Sequence, residues 1–355
     1  MIIQFICFFS ILSNGYAEAP LFSRGLHSVT TDDIGQVPLE SAHCGKCHTE
    51  IWNQWQQSAH ANAWKNNVFQ VSWRPWPNAW CLNCHAPLSS AQADIAGDRA
   101  SLPGAILYDF NQPAPESLAN EGINCVTCHV RNSKILTSTP PSIVTNMVHE
   151  ASWEPQLQRP EFCGGCHEFP FQNHTPMAPF SYGTEPLQST LTEWAQSSAA
   201  ANGVTCQNCH MPSGHHTWPG GHDQSLLQRT LAVSVEPDSH FARVKIVATN
   251  AAHRVPTGDP FHRIVLQLCS DKNCSQQVGR ISLNRTFQRT ETTWTQIADT
   301  TIPPAIEGPS SSRFFDVPID GELNYWRLWY YFSDPRLDSS LNDSERRMLI
   351  LEEKL

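Results

Sequence analysis

Five times along this chain two cysteines stand three positions apart with a histidine directly after the second: Cys44-Gly45-Lys46-Cys47-His48, Cys81-Leu82-Asn83-Cys84-His85, Cys125-Val126-Thr127-Cys128-His129, Cys163-Gly164-Gly165-Cys166-His167 and Cys206-Gln207-Asn208-Cys209-His210. The spacing has a mechanical reason. Two thiols separated by two residues span the two vinyl groups of one haem, and the adjacent histidine reaches the iron as its proximal ligand. Paired C-x-x-C units can also hold zinc, and a lone pair can be a redox dithiol. Neither chemistry requires the histidine. With histidine at 16 of 355 positions, five coincidences would arise by chance roughly once in five million, which makes five covalently bound c-type haems the cofactor reading. The motifs begin 37, 44, 38 and 43 residues apart. That is a loose haem-binding repeat and not a solenoid, because nothing else recurs at the same period.

Thirteen cysteines are present, and these motifs use ten. Cys7 lies in an apolar run from Ile2 to Leu12, which with Ser13, Asn14, Gly15 and Ala17-Glu18-Ala19 reads as a secretory signal peptide over residues 1–17. The rival reading is an uncleaved anchor, for which the run is short against the roughly 20 residues of a spanning helix. Cys7 lacks the small residue expected before a lipidated cysteine, and no later segment could cross a membrane. Cys269 and Cys274 bracket Ser-Asp-Lys-Asn between strand-like runs, so in an oxidising compartment they read as a disulfide across a hairpin loop. The chain is thus expected to be exported to the periplasm, free or held at the cell surface.

The fold class expected is α+β with two domains after the signal: a mainly helical and irregular pentahaem domain over 18–226, then an all-β, sandwich-like domain over 227–355. Within the haem domain a helix is expected from about His48 to Trp64, with Ile51, Trp52, Trp55, Ala59 and Ala63 at helical spacing. Another is expected from Pro186 to Ala201, stopped by Gly203. The tryptophans here (52, 55, 64, 73, 76, 80, 153, 194 and 218) are expected to pack on porphyrin faces. In the β-domain strands are expected at Leu231–Val235, Phe241–Thr249, Arg263–Leu268, Val278–Phe287, Arg313–Val317, Tyr325–Phe332 and Arg346–Glu352, with turn residues between. The last run could instead be a helix, since Asp343-Ser344-Glu345 is a helix-start signal.

An iron with two axial ligands is an electron carrier, and one with an open position can bind a small molecule. Eleven histidines lie outside the motifs, at 27, 43, 60, 149, 174, 215, 216, 222, 240, 253 and 262. That suffices for bis-His ligation throughout. His60, on the expected helix, would lie about 18 Å along the axis from His48, so it would ligate a neighbouring haem and not its own. The Gly- and Pro-rich stretch after the fifth motif suggests a loop wrapped around something and offers His216 and His222, with His215 a rival to its neighbour. His149 and His253 complete the expected distal ligands, His253 from a turn that would tie the β-domain to a haem. Met177 and Met211 are alternative ligands for which packing is the plainer role.

The segment from Cys44 to Trp64 (CGKCHTEIWNQWQQSAHANAW) resembles the opening of a family of periplasmic multihaem cytochromes. So do Cys81 to Pro87 (CLNCHAP) and Cys206 to Pro212 (CQNCHMP), and the later HRVPTG at 253–258 recurs in larger members. The family includes the tetrahaem electron carrier that serves hydroxylamine oxidoreductase. The resemblance implies close-packed haem pairs, mostly bis-His iron, an electron-transfer role, and a distal-ligand role for His60. A fifth motif and the β-domain depart from that carrier, so its partner does not carry over. The haem count is similar to pentahaem nitrite reductase, yet none of the five motifs has lysine in place of histidine.

A formal net charge of −10, made more negative by propionates, argues against nucleic acid; it permits docking on a positively charged redox partner and equally serves solubility alone. The expected function is electron transfer between partners such as other cytochromes or a membrane quinol-linked complex. The alternative is an oxidoreductase acting on a small nitrogen or sulfur compound at a five-coordinate haem, with Tyr182, Arg254 and His262 as candidate groups around it.

Overall fold

The structure is a computed structural model that describes residues 37–75, 81–88, 118, 120–140, 149–172, 182–291 and 293–355. The signal peptide, His27, His174, Met177, Trp76 and Trp80 lie outside these residues, as does the Tyr182 side chain.

Each cysteine motif makes about one helical turn. Cys44 ends in α1 (Ser41–Gly45), and His48 caps α2 (Thr49–Gln56). After α3 (Asn67–Trp73), Cys81 precedes α4 (Leu82–His85). The third motif is α5 (Cys125–His129), and the fourth closes α6 (Pro160–His167). Then come α7 (Thr190–Ala195), α8 (Ser198–Ala201), the fifth motif as α9 (Cys206–His210), and α10 (Gln224–Thr230). Short strands fill the gaps: β1 (Val130–Arg131), β2 (Lys134–Thr137) and β3 (Ser152–Trp153) form one sheet, β4 (Glu168–Gln172) and β5 (Tyr182–Ser189) another.

Both long helices expected from periodicity are shorter. The first stops at Gln56 because Ser58 offers the backbone a local alternative: its hydroxyl donates to the Trp55 carbonyl at 2.6 Å and accepts from Ala61 N at 3.1 Å. The chain then turns through Lys65. The second is a strand and two short helices. Pro186 pairs with Pro170 in the β4–β5 ladder, and Ser197 caps α8 by accepting from Ala200 N, which splits the helical run. Gly203 ends it at φ +72, as expected.

From Leu231 on, two antiparallel sheets share one core. One has the order β12 (Ser310–Pro318), β7 (Phe241–Thr249), β6 (Leu231–Pro237); the other β14 (Arg347–Lys354), β13 (Tyr325–Tyr331), β8 (Arg263–Cys269), β9 (Gln277–Leu283). The run expected over Val278–Phe287 is two strands, because Asn284 breaks β9 from β10 (Arg285–Arg289). β10 pairs with β11 (Trp294–Asp299), a strand the pattern did not suggest: only alternate residues are half-buried and its outer face is exposed. At the end Asn342 caps a one-turn helix, α11 (Asp343–Arg346), and the chain then enters β14, so the helix signal and the strand run are both real. Cys269 and Cys274 are disulfide-bonded with Cα atoms 5.0 Å apart.

Apolar burial is uneven. Twenty buried residues, Ile246, Ile264, Leu266 and Leu328 among them, form the core between the two sheets. Each such side chain contributes about 1.5–3 kcal/mol. Before Gln224 the described residues gather only two small clusters, of four (Leu88, Leu118, Val126, Val130) and three (Trp73, Leu82, Ala86). A polypeptide that long does not hold together on so little apolar contact. Among the described residues no helix is long and apolar enough to cross a membrane.

A buried polar network joins the motif region to the sheets. Glu193, 4% exposed, accepts from Ser189 Oγ (2.7 Å), Thr257 Oγ1 (2.6 Å) and Arg254 N (3.1 Å). Arg285 donates to the carbonyls of Leu187 and Gly258, each at 2.6 Å. Together they pin the 250–262 loop against α7.

Candidate functional site

On a helical turn, residues three apart share a face, so each motif presents its two thiols side by side. None of the ten is in a disulfide. The motifs also meet one another. The Cys44 and Cys125 thiols are close neighbours, as are Cys84 with Cys166 and Cys163 with Cys206. Cys128 lies within electrostatic reach of Cys166. Backbone and side-chain bonds set these contacts. Glu121 accepts from Ser41 N (2.9 Å) and Asn124 Nδ2 (3.1 Å), tying the first motif to the third. Gln207, inside the fifth motif, donates to the carbonyls of Leu157 (3.0 Å) and Arg159 (2.9 Å), at the entrance to the fourth. Numbering the sites by motif, site 4 adjoins sites 2, 3 and 5, and site 1 adjoins site 3.

Four motif histidines face a second imidazole from elsewhere in the chain. Ring centroids are 6.2 Å apart for His48 and His149, 6.4 Å for His60 and His167, 6.1 Å for His129 and His216, and 6.1 Å for His210 and His253. Rings in direct contact lie far closer, as His85 and Phe69 do at 3.8 Å. An iron–nitrogen bond of about 2 Å on each side, plus about 1.1 Å from nitrogen to ring centre, gives about 6.2 Å between two imidazoles on one iron. The four pairs have the separation that a bis-His haem iron requires.

Five of these eight rings have Nδ1 bonded to a backbone carbonyl. Nδ1 of His129 bonds the Leu136 carbonyl (3.0 Å), that of His210 the Pro219 carbonyl (2.6 Å), that of His216 the Gly214 carbonyl (2.7 Å) and that of His253 the Arg254 carbonyl (2.9 Å). His149 and His85 bond Glu150 and Ala63 the same way, at 3.2 and 2.9 Å. A ring that donates Nδ1–H to a carbonyl leaves Nε2 free for a metal, the outer-sphere arrangement typical of ligating histidines. Burial, reinforced by neighbouring imidazoles, pushes His60 down to about 3 and His167 down to about 4, so both stay neutral, the form that ligates.

His60 is delivered by a close backbone approach. Gly122, at φ +59, lies so near that a Cβ there would sit 2.6 Å from the His60 carbonyl oxygen. Ile123 N donates to that same oxygen at 3.0 Å. Trp218 fills the space between two of the pairs, edge-on to His60 (4.6 Å) and to His216 (5.1 Å).

Sequence reasoning named His60, His149, His216 and His253, and all four are brought opposite motif histidines. His222 is not. The Pro219–His222 loop folds onto the end of β13, where Gly221 makes room for Tyr330 Oη and His222 stacks on Phe332 at 4.2 Å. Among the described residues no imidazole stands across from His85. Trp218, expected to pack on a porphyrin face, lies edge-on to two imidazoles; Gly122 and Glu193 were missed as positioning residues, and of these Gly122 left a signal, a glycine beside a motif, that is weak without the fold.

The ten paired thiols, the four imidazole pairs and the scant apolar packing fit a set of covalent haems as the material of this core. Asn83 Nδ2, within the second motif, is buried with no partner among the described residues, a donor suited to a prosthetic group's acceptor. Among the described residues no three His, Cys, Asp or Glu gather around a bare metal ion.

No protein-family model and no curated relative matches the chain. The fold is similar to that of a penta-heme cytochrome c552 from Thermochromatium tepidum, with a TM-score of 0.61 and 20% identity over 90% of this chain and 100% of that one. The likeness spans the helical motif region and the sheets together, and supports the α+β architecture described above.

Proposed function

We propose that the chain is a multihaem c-type cytochrome that passes electrons between redox partners through five covalently attached haems. The observation that carries this is the fourfold recurrence of imidazole pairs at 6.1–6.4 Å, each containing a motif histidine. The likeness to a penta-heme cytochrome supports it.

In this reading Cys44 and Cys47, Cys81 and Cys84, Cys125 and Cys128, Cys163 and Cys166, and Cys206 and Cys209 form the thioethers. His48, His85, His129, His167 and His210 are the proximal ligands, and His149, His216, His60 and His253 are the distal ligands of sites 1, 3, 4 and 5. The bound irons supply reversible one-electron chemistry. That transfer calls for no acid, base or nucleophile from the protein. Its residues set potentials through ligand type, burial and the carbonyl bonds to Nδ1. Contacts among the motifs lay out a route from site 1 through site 3 to site 4, which branches to sites 2 and 5.

The domain reading fits this role: a signal peptide over 1–17, a haem-carrying domain over 18–226 and a β-sandwich over 227–355, exported to the periplasm. With a net charge of −10, the partner is a cytochrome or a quinol-linked membrane complex with a positively charged docking face. Pyridine haemochrome analysis and intact mass of the exported protein test the reading: five covalent haems are expected, with at least four low-spin signals in EPR. Fewer haems, or haems released by acid acetone, would refute it.

A further inference from the structure

We propose that residues 214–219 form one positioning loop that fixes axial imidazoles of sites 3, 4 and 5 together, with Trp218 as the side chain that locks the loop against them. The inference rests on the haem reading and goes beyond it. Three sites share a single mechanical support, so their ligand fields move as a set while site 1 stands apart.

The loop makes a separate contact at each of the three sites. The Gly214 carbonyl lies 2.7 Å from Nδ1 of His216, which faces His129 at site 3. Trp218 stands edge-on to His60 of site 4, with ring centroids 4.6 Å apart and planes crossed at 70°. The same indole meets His216 at 5.1 Å and 82°. One residue on, the Pro219 carbonyl holds Nδ1 of His210 at 2.6 Å, and His210 faces His253 at site 5. The three imidazoles are near enough that His60 feels both His210 and His216 electrostatically. Among the described residues, the site 1 rings of His48 and His149 have no hydrogen bond or ring contact with this loop.

The backbone is bent to make these contacts. Ser213, Gly214 and Trp218 all have positive φ, at 56°, 78° and 43°. A bulky residue resists that region, so Trp218 stays there only because its surroundings over-determine it. Anchors along the loop do so. Gly214 N donates to the Met211 carbonyl at 2.9 Å and His215 N to that of Pro212 at 3.2 Å, which ties the start of the loop to the fifth motif. His216 N donates to Gln54 Oε1 at 2.8 Å, on α2 after the first motif. Beyond the loop, Asp223 N donates to the Gly220 carbonyl at 2.9 Å, and Asp223 caps α10. A carbonyl that accepts from Nδ1–H makes an imidazole the stronger donor to iron and favours the oxidised metal. Loosening the loop therefore weakens that donation at His216 and His210 at once, and frees the ring of His60 to turn.

The test uses the purified holo-protein with Trp218→Ala, Trp218→Phe and Gly214→Ala. Each low-spin EPR signal is first assigned by its loss in His149→Ala, His216→Ala, His60→Ala or His253→Ala. In Trp218→Ala the signals of sites 3, 4 and 5 should shift together while that of site 1 stays. A redox titration followed by EPR should show the potentials of sites 3 and 5 raised, because their Nδ1 bonds are loosened. Trp218→Phe keeps a ring between the imidazoles and should restore most of both effects. In Gly214→Ala the added methyl meets nothing within 4 Å, yet it resists φ +78°. That variant strains the loop without touching a ligand, keeps the indole, and should shift the same three signals, so it carries the test should Trp218→Ala fail to fold. A shift at site 4 alone would overturn the proposal by showing local packing. An equal shift at all four assigned sites would overturn it by showing general loosening, and so would unchanged spectra in Gly214→Ala. Each of these outcomes leaves the carrier reading intact, whereas a haem count below five in the unaltered protein counts against the cofactor reading itself.

Discussion

His60, the proposed distal ligand of site 4, shows how much one side chain's placement depends on a neighbour with no side chain. Its carbonyl receives Ile123 N at 3.0 Å, and Gly122 lets the two segments touch at a backbone angle, φ +59, that other residues resist. Gly122→Ala would bring a methyl to 2.6 Å from that oxygen in a left-handed conformation costing about 1 kcal/mol or more. The expected result is a shifted or lost low-spin signal from site 4 and a melting temperature lower by several degrees, with the other signals unchanged. The ring planes make a second prediction. His210 and His253 are nearly parallel at 12°, whereas His48–His149 and His60–His167 are tilted by 54° and 55°. The angle between axial imidazoles sets the splitting of the iron orbitals, so the first pair should give the most rhombic EPR signal and the tilted pairs the most anisotropic. His253→Ala should remove the rhombic signal; loss of a tilted-pair signal instead would contradict the pairing. At this scale the sequence displayed the candidate ligands but not which of them meet. A motif histidine is legible from its cysteines, whereas His216 faces His129 and His60 faces His167 only because distant segments fold together.

Elements explain why the ligand loops hold still. The loop bearing His253 is long, yet it is fastened on two sides: Val255 exchanges two 2.9 Å bonds with Ile302, and Glu193 gathers Arg254 N and Thr257 Oγ1. Glu193→Ala would strand those buried donors at about 1–3 kcal/mol each. We expect a stability loss of about 2–4 kcal/mol in denaturant titration and an altered site 5 spectrum, because His253 sits on the loop so released. Glu193→Gln, which retains an acceptor, should recover most of both; a site 5 spectrum unmoved by Glu193→Ala would show that the loop is held elsewhere. The same scale separates what the pattern could and could not reveal. Strands β7 and β13 fell where alternation put them, since alternate residues pack on the core while those between are half-buried or exposed. The helices over His48–Trp64 and Pro186–Ala201 did not. Their apolar residues are spaced by contact with several motif turns and not by one helix face, and Ser58 and Ser197 interrupt the backbone with local hydrogen bonds.

The whole molecule divides into a region that packs itself and a region that packs around its motifs. Between the sheets twenty buried apolar residues suffice for a core, so Leu266→Ala should cost about 2–5 kcal/mol there without moving the low-spin signals. Before Gln224 order comes from the motifs meeting each other, and that topology makes site 4 a junction. Cys166 of site 4 meets Cys84 of site 2 and lies near Cys128 of site 3, while Cys163 meets Cys206 of site 5. His167 also feels His85 and His210, and His60 feels His216. By contrast site 1 has one such neighbour, site 3, through Cys44 and Cys125. In the proposed carrier an electron entering at site 1 would therefore pass sites 3 and 4 before reaching 5. His60→Met tests this without removing a haem, because thioether ligation raises the potential of the iron it binds. Site 4 should then hold the electron: on partial reduction its signal should bleach first, and electron arrival at site 5 after rapid reduction at site 1 should slow. His253→Met, at the end of one branch, should leave transfer from site 1 to site 4 at its original rate. Were His60→Met to leave arrival at site 5 unchanged, the junction would lie elsewhere and the motif contacts would not be the route.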